Sequence, residues 1–303
     1  MKELIEKIKQ KNSVVLVGLD PFIDSFPKHI IKGDDKAEIA ESILEFNKQI
    51  IDSVYDIIPA VKPQAAFYEQ FGWQGVRALE ETVRYAKQKG LYVILDGKRN
   101  DISSTAAGYA KAFLSDYGMD ADCLTVNGYL GTDGIKPFTD TGRDIFVLAK
   151  TSNPSSGELQ DRLLDSGETV YEAMAKLCDK WGVAGASEAD GASEADGFSE
   201  AAVYHNVGIV VGATYPEQIA RLRALVPKVF FLIPGYGAQG GKAEDIAAAF
   251  DSDGLGALVN SSRGILYAWK KTGGNGEDFA EVARAEAIKM RDDINDYRNS
   301  KIC

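Results

Sequence analysis

The chain has 303 residues, enough for one large α/β domain or two small ones, and its formal net charge is −11. That charge argues against a broad nucleic-acid surface, so an anionic ligand would need a local basic pocket. No apolar run reaches the length of a membrane span, and residues 1–9 read as the start of an amphipathic helix, not a signal peptide. Cys123, Cys178 and Cys303 are odd in number and far apart, which suits buried or free thiols in a reducing, cytoplasmic compartment. His29 and His205 are the only histidines, which leaves little room for a histidine triad or a multi-histidine metal site.

Apolar β-like runs alternate with helical patterns along the chain. The runs are 14–20, 57–62, 91–95, 122–127, 144–150, 207–212, 229–233 and 256–260. Helical periodicity lies between and after them, at 37–54, 72–89, 104–117, 132–141, 168–181, 216–225, 243–250 and 277–298. Eight buried strands alternating with helices predict a single-domain (β/α)8 TIM barrel over residues 1–303, with a doubly wound open sheet as the alternative. One stretch stands apart. Gly185–Asp190 is repeated at 191–196 and decays by 202, an acidic low-complexity insertion that reads as a solvated loop away from the expected site.

Barrels build their active sites at the C-terminal ends of the strands. Those ends supply Asp20, Lys62, Asp96 with Lys98, Asn127, Lys150-Thr151-Ser152, Gly212-Ala213-Thr214, Gly235 with Gly237, and Ser261-Ser262-Arg263. Strand alternation puts Asp96 and Lys98 side by side, while Asp101 lies beyond the strand. With Asp20 and Lys62 they form an alternating carboxylate–ammonium array. Such an array is either a structural ion-pair network or a site where burial and charge prepare a lysine for chemistry. Flanking carboxylates keep Lys98 protonated, which disfavours Schiff-base chemistry and suits proton delivery to a carbanion.

Gly235-x-Gly237-x-x-Gly240 follows the seventh strand, and Arg263 follows the eighth. Backbone N–H groups at such glycines and a bidentate guanidinium suit a phosphate; a tight turn with a surface arginine is the alternative. The polar stretch 149–160 reads as a mobile lid whose hydroxyls and amides could read a heterocycle edge, or as a plain long loop.

Asp96-x-Lys98-x-x-Asp101-Ile102 with Thr105 resembles the signature of the orotidine 5′-monophosphate decarboxylase family. Asp20 in Val17-Gly18-Leu19-Asp20-Pro21, Lys62 in Val61-Lys62-Pro63, Pro234-Gly235-x-Gly237-Ala238-Gln239-Gly240-Gly241 and Ser262-Arg263 match it as well. The stretches 62–69 and 125–131 look like its larger bacterial subgroup. The resemblance implies decarboxylation of orotidine monophosphate to uridine monophosphate without cofactor or metal, in pyrimidine synthesis. It implies Lys98 as the acid that protonates C6, Asp96 against the departing carboxylate, and Lys62 bonded to Asp96 and the ribose. Asp20 would bind a ribose hydroxyl, Ser152 would read the pyrimidine, and Gln239 and Arg263 would hold the phosphate, with Ile102, Asn127, Gly235 and Gly237 lining the substrate. Asp101 and Thr105 would reach the neighbouring subunit of a homodimer with shared sites. An Mg-dependent phosphosugar aldolase or decarboxylase of the same superfamily, or a non-catalytic phosphate-ligand-binding barrel, is the alternative.

Overall fold

The structure is a computed structural model that describes residues 1–186, 204–237 and 241–299, with the backbone alone at 183–186. Eight strands form the sheet: β1 (Val15–Leu19), β2 (Ala60–Pro63), β3 (Tyr92–Arg99), β4 (Cys123–Val126), β5 (Asp144–Lys150), β6 (Val207–Val211), β7 (Phe231–Pro234) and β8 (Ala257–Ser261). Every neighbouring pair is parallel, and β8 pairs with β1 through Val15↔Val259, Leu16↔Asn260 and Val17↔Ser261. That last pairing closes the barrel and excludes the doubly wound sheet. The strands are near-continuous apolar runs because both faces are covered, one by the barrel interior and one by helices.

Local chemistry accounts for several element boundaries. The helix Lys36–Val54 starts at a capping box: Asp35 Oδ1 accepts from the Ala37 and Glu38 N–H groups at 2.8 and 2.9 Å, and the Glu38 carboxylate accepts from the Asp35 N–H. Residues 57–58, expected in the second strand, instead close that helix, because the Ile57 and Ile58 N–H groups donate to the Val54 carbonyl. β2 therefore begins only at Ala60, beyond Pro59. The helix expected at 168–181 runs as Val170–Ala186, so the first residues of the acidic repeat belong to it. The remainder of the repeat lies outside the described residues.

The last helix, Phe279–Asn299, seals the barrel against the helix after β1. Phe46 stacks between Phe26 and Phe279 at ring separations of 4.2 and 4.9 Å, and Arg284 grips Asp56 with both amino groups. The N-terminal helix Lys2–Lys11 buries Leu4 and Ile8, and the N-terminal ammonium pairs with Asp144 at the start of β5. Cys123 and Cys178 are buried free thiols; Cys303 is outside the described residues.

Candidate active site at the mouth of the barrel

Four charged side chains from three adjacent strand ends form a chain. Lys62 Nζ lies 4.0 Å from Asp20 Oδ1 and 2.8 Å from Asp96 Oδ2, and Lys98 Nζ lies 2.6 Å from Asp96 Oδ1. The side chains of Lys62 and Asp96 are 6% and 9% exposed, whereas that of Lys98 is 46% exposed. Lys98 is thus the cationic end that faces outward. The backbone at Leu19 and Asp20 is held from behind. Tyr267 Oη donates to the Asp20 carbonyl at 2.9 Å, and buried Tyr68 donates to the Leu19 carbonyl at 3.2 Å.

The electrostatics favour full ionisation of the buried pair. Burial by itself raises the Asp96 carboxyl, but the Lys62 and Lys98 ammoniums outweigh it and hold the group well below the usual carboxylate range. Burial likewise opposes the Lys62 charge, and the Asp96 and Asp20 carboxylates overcome it and raise its proton affinity.

Simple strand alternation does not explain how Asp96 and Lys98 meet. Pairing between β3 and β4 jumps from Leu95↔Leu124 to Arg99↔Val126, so β3 carries an irregularity over the residues between. Lys98 sits there with φ of 46°, in the left-handed region. Thr125 Oγ1 bridges the distortion, accepting from the Lys98 N–H at 3.0 Å and donating to Asp96 Oδ1 at 2.8 Å. Gln64 Nε2 donates to Asp96 Oδ2 at 2.9 Å. Sequence reasoning missed Thr125 and Gln64. Each lies two residues from a residue it did single out, Asn127 and Lys62, and period-two alternation was the available signal.

On the other side of the mouth, Gly235 and Gly237 adopt φ of 100° and 68°, conformations that a side chain would strain. The loop folds back on itself, with the Gly237 N–H donating to the Gly241 carbonyl at 2.9 Å. Gln239 falls in the stretch outside the described residues. A cleft of about 480 Å³ opens beside this loop, lined by Tyr236, Gly237, Ser261, Arg263, Lys271 and Glu286. The Arg263 guanidinium has no ion-pair partner among the described residues. Buried Asp20 Oδ1, Asn260 Oδ1 and Thr214 Oγ1 also make no hydrogen bond among the described residues, as suits groups that reach a ligand.

The remaining expected residues separate. Asn127 Oδ1 accepts from the Tyr129 N–H and caps the turn after β4. Ser152 lies after β5 in a segment that is hydrogen-bonded along its length, including a 3-10 turn at Pro154–Glu158. Asp101 accepts from the N–H of Ile102, and neither it nor exposed Ile102 and Thr105 joins the array of its own chain.

A closed barrel with a lysine–carboxylate chain at one side of its mouth and a glycine loop with an arginine unpaired among the described residues at the other defines a (β/α)8-barrel enzyme. Residues 13–273 match the orotidine 5′-phosphate decarboxylase / HUMPS family, and the chain belongs to that family. It is 42% identical to an orotidine 5′-phosphate decarboxylase of Rhodopirellula baltica, over 96% of this chain and 97% of that one. The corresponding protein of Caldicellulosiruptor bescii is 41% identical, with 96% of each chain covered. The solved structure of the OMP decarboxylase of Leishmania donovani superposes with a TM-score of 0.75 at 32% identity, covering 98% of both chains.

Proposed function

We propose that this chain converts orotidine 5′-monophosphate to uridine 5′-monophosphate and CO₂ without a cofactor, a step of pyrimidine biosynthesis. The observation that carries the reading is Asp96, buried between Lys62 and Lys98, with Lys98 the exposed end of the array. The C6–carboxylate bond breaks, CO₂ departs, and the electron pair stays on C6. The Lys98 ammonium stabilises that charge as it develops and then transfers a proton to C6, and solvent reprotonates the amine. Asp96 faces the departing carboxylate and holds the Lys98 ammonium in place. Lys62 and Asp20 address the ribose, Ser152 reads the pyrimidine edge, and Gln239, Arg263 and the Gly235–Gly237 backbone hold the phosphate. Phosphate binding far from C6 supplies energy that positions the ring.

In this reading the protein is a cytoplasmic homodimer. Each chain forms one barrel domain with the 185–202 repeat as an insertion, and Asp101 and Thr105 complete the partner's site. Half-buried Asp101 and exposed Thr105 both stand apart from the array of their own chain, which supports that assignment. Among the described residues no helix is long and apolar enough to cross a membrane. The test is orotidine monophosphate decarboxylation by wild type and Lys98→Ala, each with and without EDTA. Expected are full wild-type activity in chelator and a loss of at least about 10²–10⁴-fold in the variant. Wild-type activity abolished by EDTA would favour the metal-dependent alternative, and an inactive wild type would overturn the reading.

A further inference from the structure

The Ser152 loop carries a feature that the array does not use. Lys150, the last residue of β5, is fully buried, yet its ammonium belongs to no part of the Asp20–Lys62–Asp96–Lys98 chain. It turns instead into the loop that follows it. Nζ donates to both Asp161 oxygens at 2.8 and 2.9 Å and to buried Ser156 Oγ at 3.0 Å, and it lies 4.8 Å from the Tyr215 ring centre. A second clasp lies alongside: the Thr151 N–H donates to Gln160 Oε1 at 2.9 Å, and Gln160 Nε2 donates to Thr151 Oγ1 at 2.8 Å. The third boundary is Gly212 at the end of β6. Its N–H donates to the Lys150 carbonyl at 2.8 Å, and a Cβ there would sit 2.9 Å from Ser152 Cα. The Ser152 backbone is therefore confined between a glycine that allows close approach and a loop clasped from inside by a buried cation. A β5–β6 register shift between Leu148 and Lys150 aims the lysine into this position.

We propose that Lys150 is a positioning residue for Ser152, acting through Asp161 and Ser156 to fix where the loop presents its hydroxyl and amide groups to the base. The inference rests on the reading in which Ser152 meets the pyrimidine. A buried ammonium whose carboxylate partner comes from the loop ties loop geometry to the barrel wall. The loop cannot shift without breaking a charge-assisted pair whose ammonium is fully buried.

The experiment is a double-mutant cycle of Lys150→Met and Ser152→Ala. It reads kcat and KM for orotidine monophosphate, together with the calorimetric affinities of uridine monophosphate and of ribose 5-phosphate, which lacks the base. Lys150→Met is expected to lower kcat/KM by about 10- to 100-fold, the scale of a small misplacement of substrate contacts. It is also expected to weaken uridine monophosphate binding and leave ribose 5-phosphate binding unchanged. Ser152→Ala should cost several-fold less in the Lys150→Met background than in wild type, because the two act through one contact. Asp161→Asn, altered from the solvent-facing end of the pair, should give the same pattern at smaller amplitude, and it carries the test if Lys150→Met does not fold. Strict additivity, equal weakening of both ligands, or a lowered melting temperature with unchanged kcat/KM would each overturn the proposal. A wild type without decarboxylase activity overturns the proposed function instead, and the nucleotide-binding comparison then decides the role of Lys150.

Discussion

Around Asp96, burial and charge pull in opposite directions, and two ammonium groups at 2.6 and 2.8 Å decide the outcome. Asp96→Asn removes the carboxylate and leaves Lys62 buried, with Asp20 at 4.0 Å as its remaining anion. The expected cost is about 3 kcal/mol of unfolding free energy, the scale for breaking one side of a buried pair, readable in urea. Lys98 adds little to that figure, because it is half exposed and screened. The pH dependence has a definite sign. The folded pKa of Asp96 is depressed, so its stabilisation is complete above the unfolded carboxylate value of about 3.9 and is lost as pH falls through the folded value. The folded pKa of Lys62 is raised, so its stabilisation is complete below about 10.4 and is lost as pH rises through the folded value. The stability gap between wild type and Asp96→Asn should therefore be constant between about pH 5 and 9. A gap that closes within that window would show that the carboxylate titrates there.

At the scale of elements, the irregular end of β3 turns an apolar strand into a platform for chemistry. A regular strand would carry Lys98 on through the sheet; the irregularity and the φ of 46° re-aim it while Asp96 stays buried. Thr125 on β4 is the tether, since one hydroxyl serves both the Lys98 N–H and the Asp96 carboxylate. Thr125→Val keeps the shape and removes both hydrogen bonds. It should cost about 1–3 kcal/mol in stability and lower kcat more than it raises KM, a split that steady-state kinetics would show. Unchanged kcat would mean that the irregularity holds Lys98 without help. The eight strands were legible because each coincides with a largely apolar run of strand length. The misplaced start of β2 was not, because Ile57 and Ile58 look like strand residues until their N–H groups are seen to close the preceding helix.

At the scale of the whole molecule, half-buried Asp101 and exposed Thr105 follow β3 in the chain and stand apart from its array. In a dimer with shared sites, Lys98→Ala damages a chain's own site and Asp101→Ala damages its partner's. Mixing the two inactive variants after reversible unfolding should restore about a quarter of wild-type activity, since half of randomly paired dimers are mixed and each mixed dimer has one intact site. Sedimentation of the wild type should show the dimer. No recovery on mixing, with mixed dimers demonstrated, would place Asp101 in its own chain's site.

While the β8–β1 pairing closed the barrel, periodicity and strand-end chemistry, read from the sequence alone, determined the alternation of eight strands with helices, the rim of polar strand ends, and Asp20, Lys62, Asp96 and Lys98 as one array. These are properties of residue type and spacing, and parallel strands buried on both faces write them plainly. Only the tertiary structure decided how the array is held. The β3–β4 register jump, the Thr125 and Gln64 bonds to Asp96 and the inward clasp of Lys150 on Asp161 all join residues distant in sequence or bent out of regular geometry. The stretch from Asp96 to Asp101 shows both sides of the division. Its composition offered the choice between an ion-pair network and a reactive site, and a distortion that no alternation rule contains put Lys98 beside Asp96 and left Asp101 apart from the array.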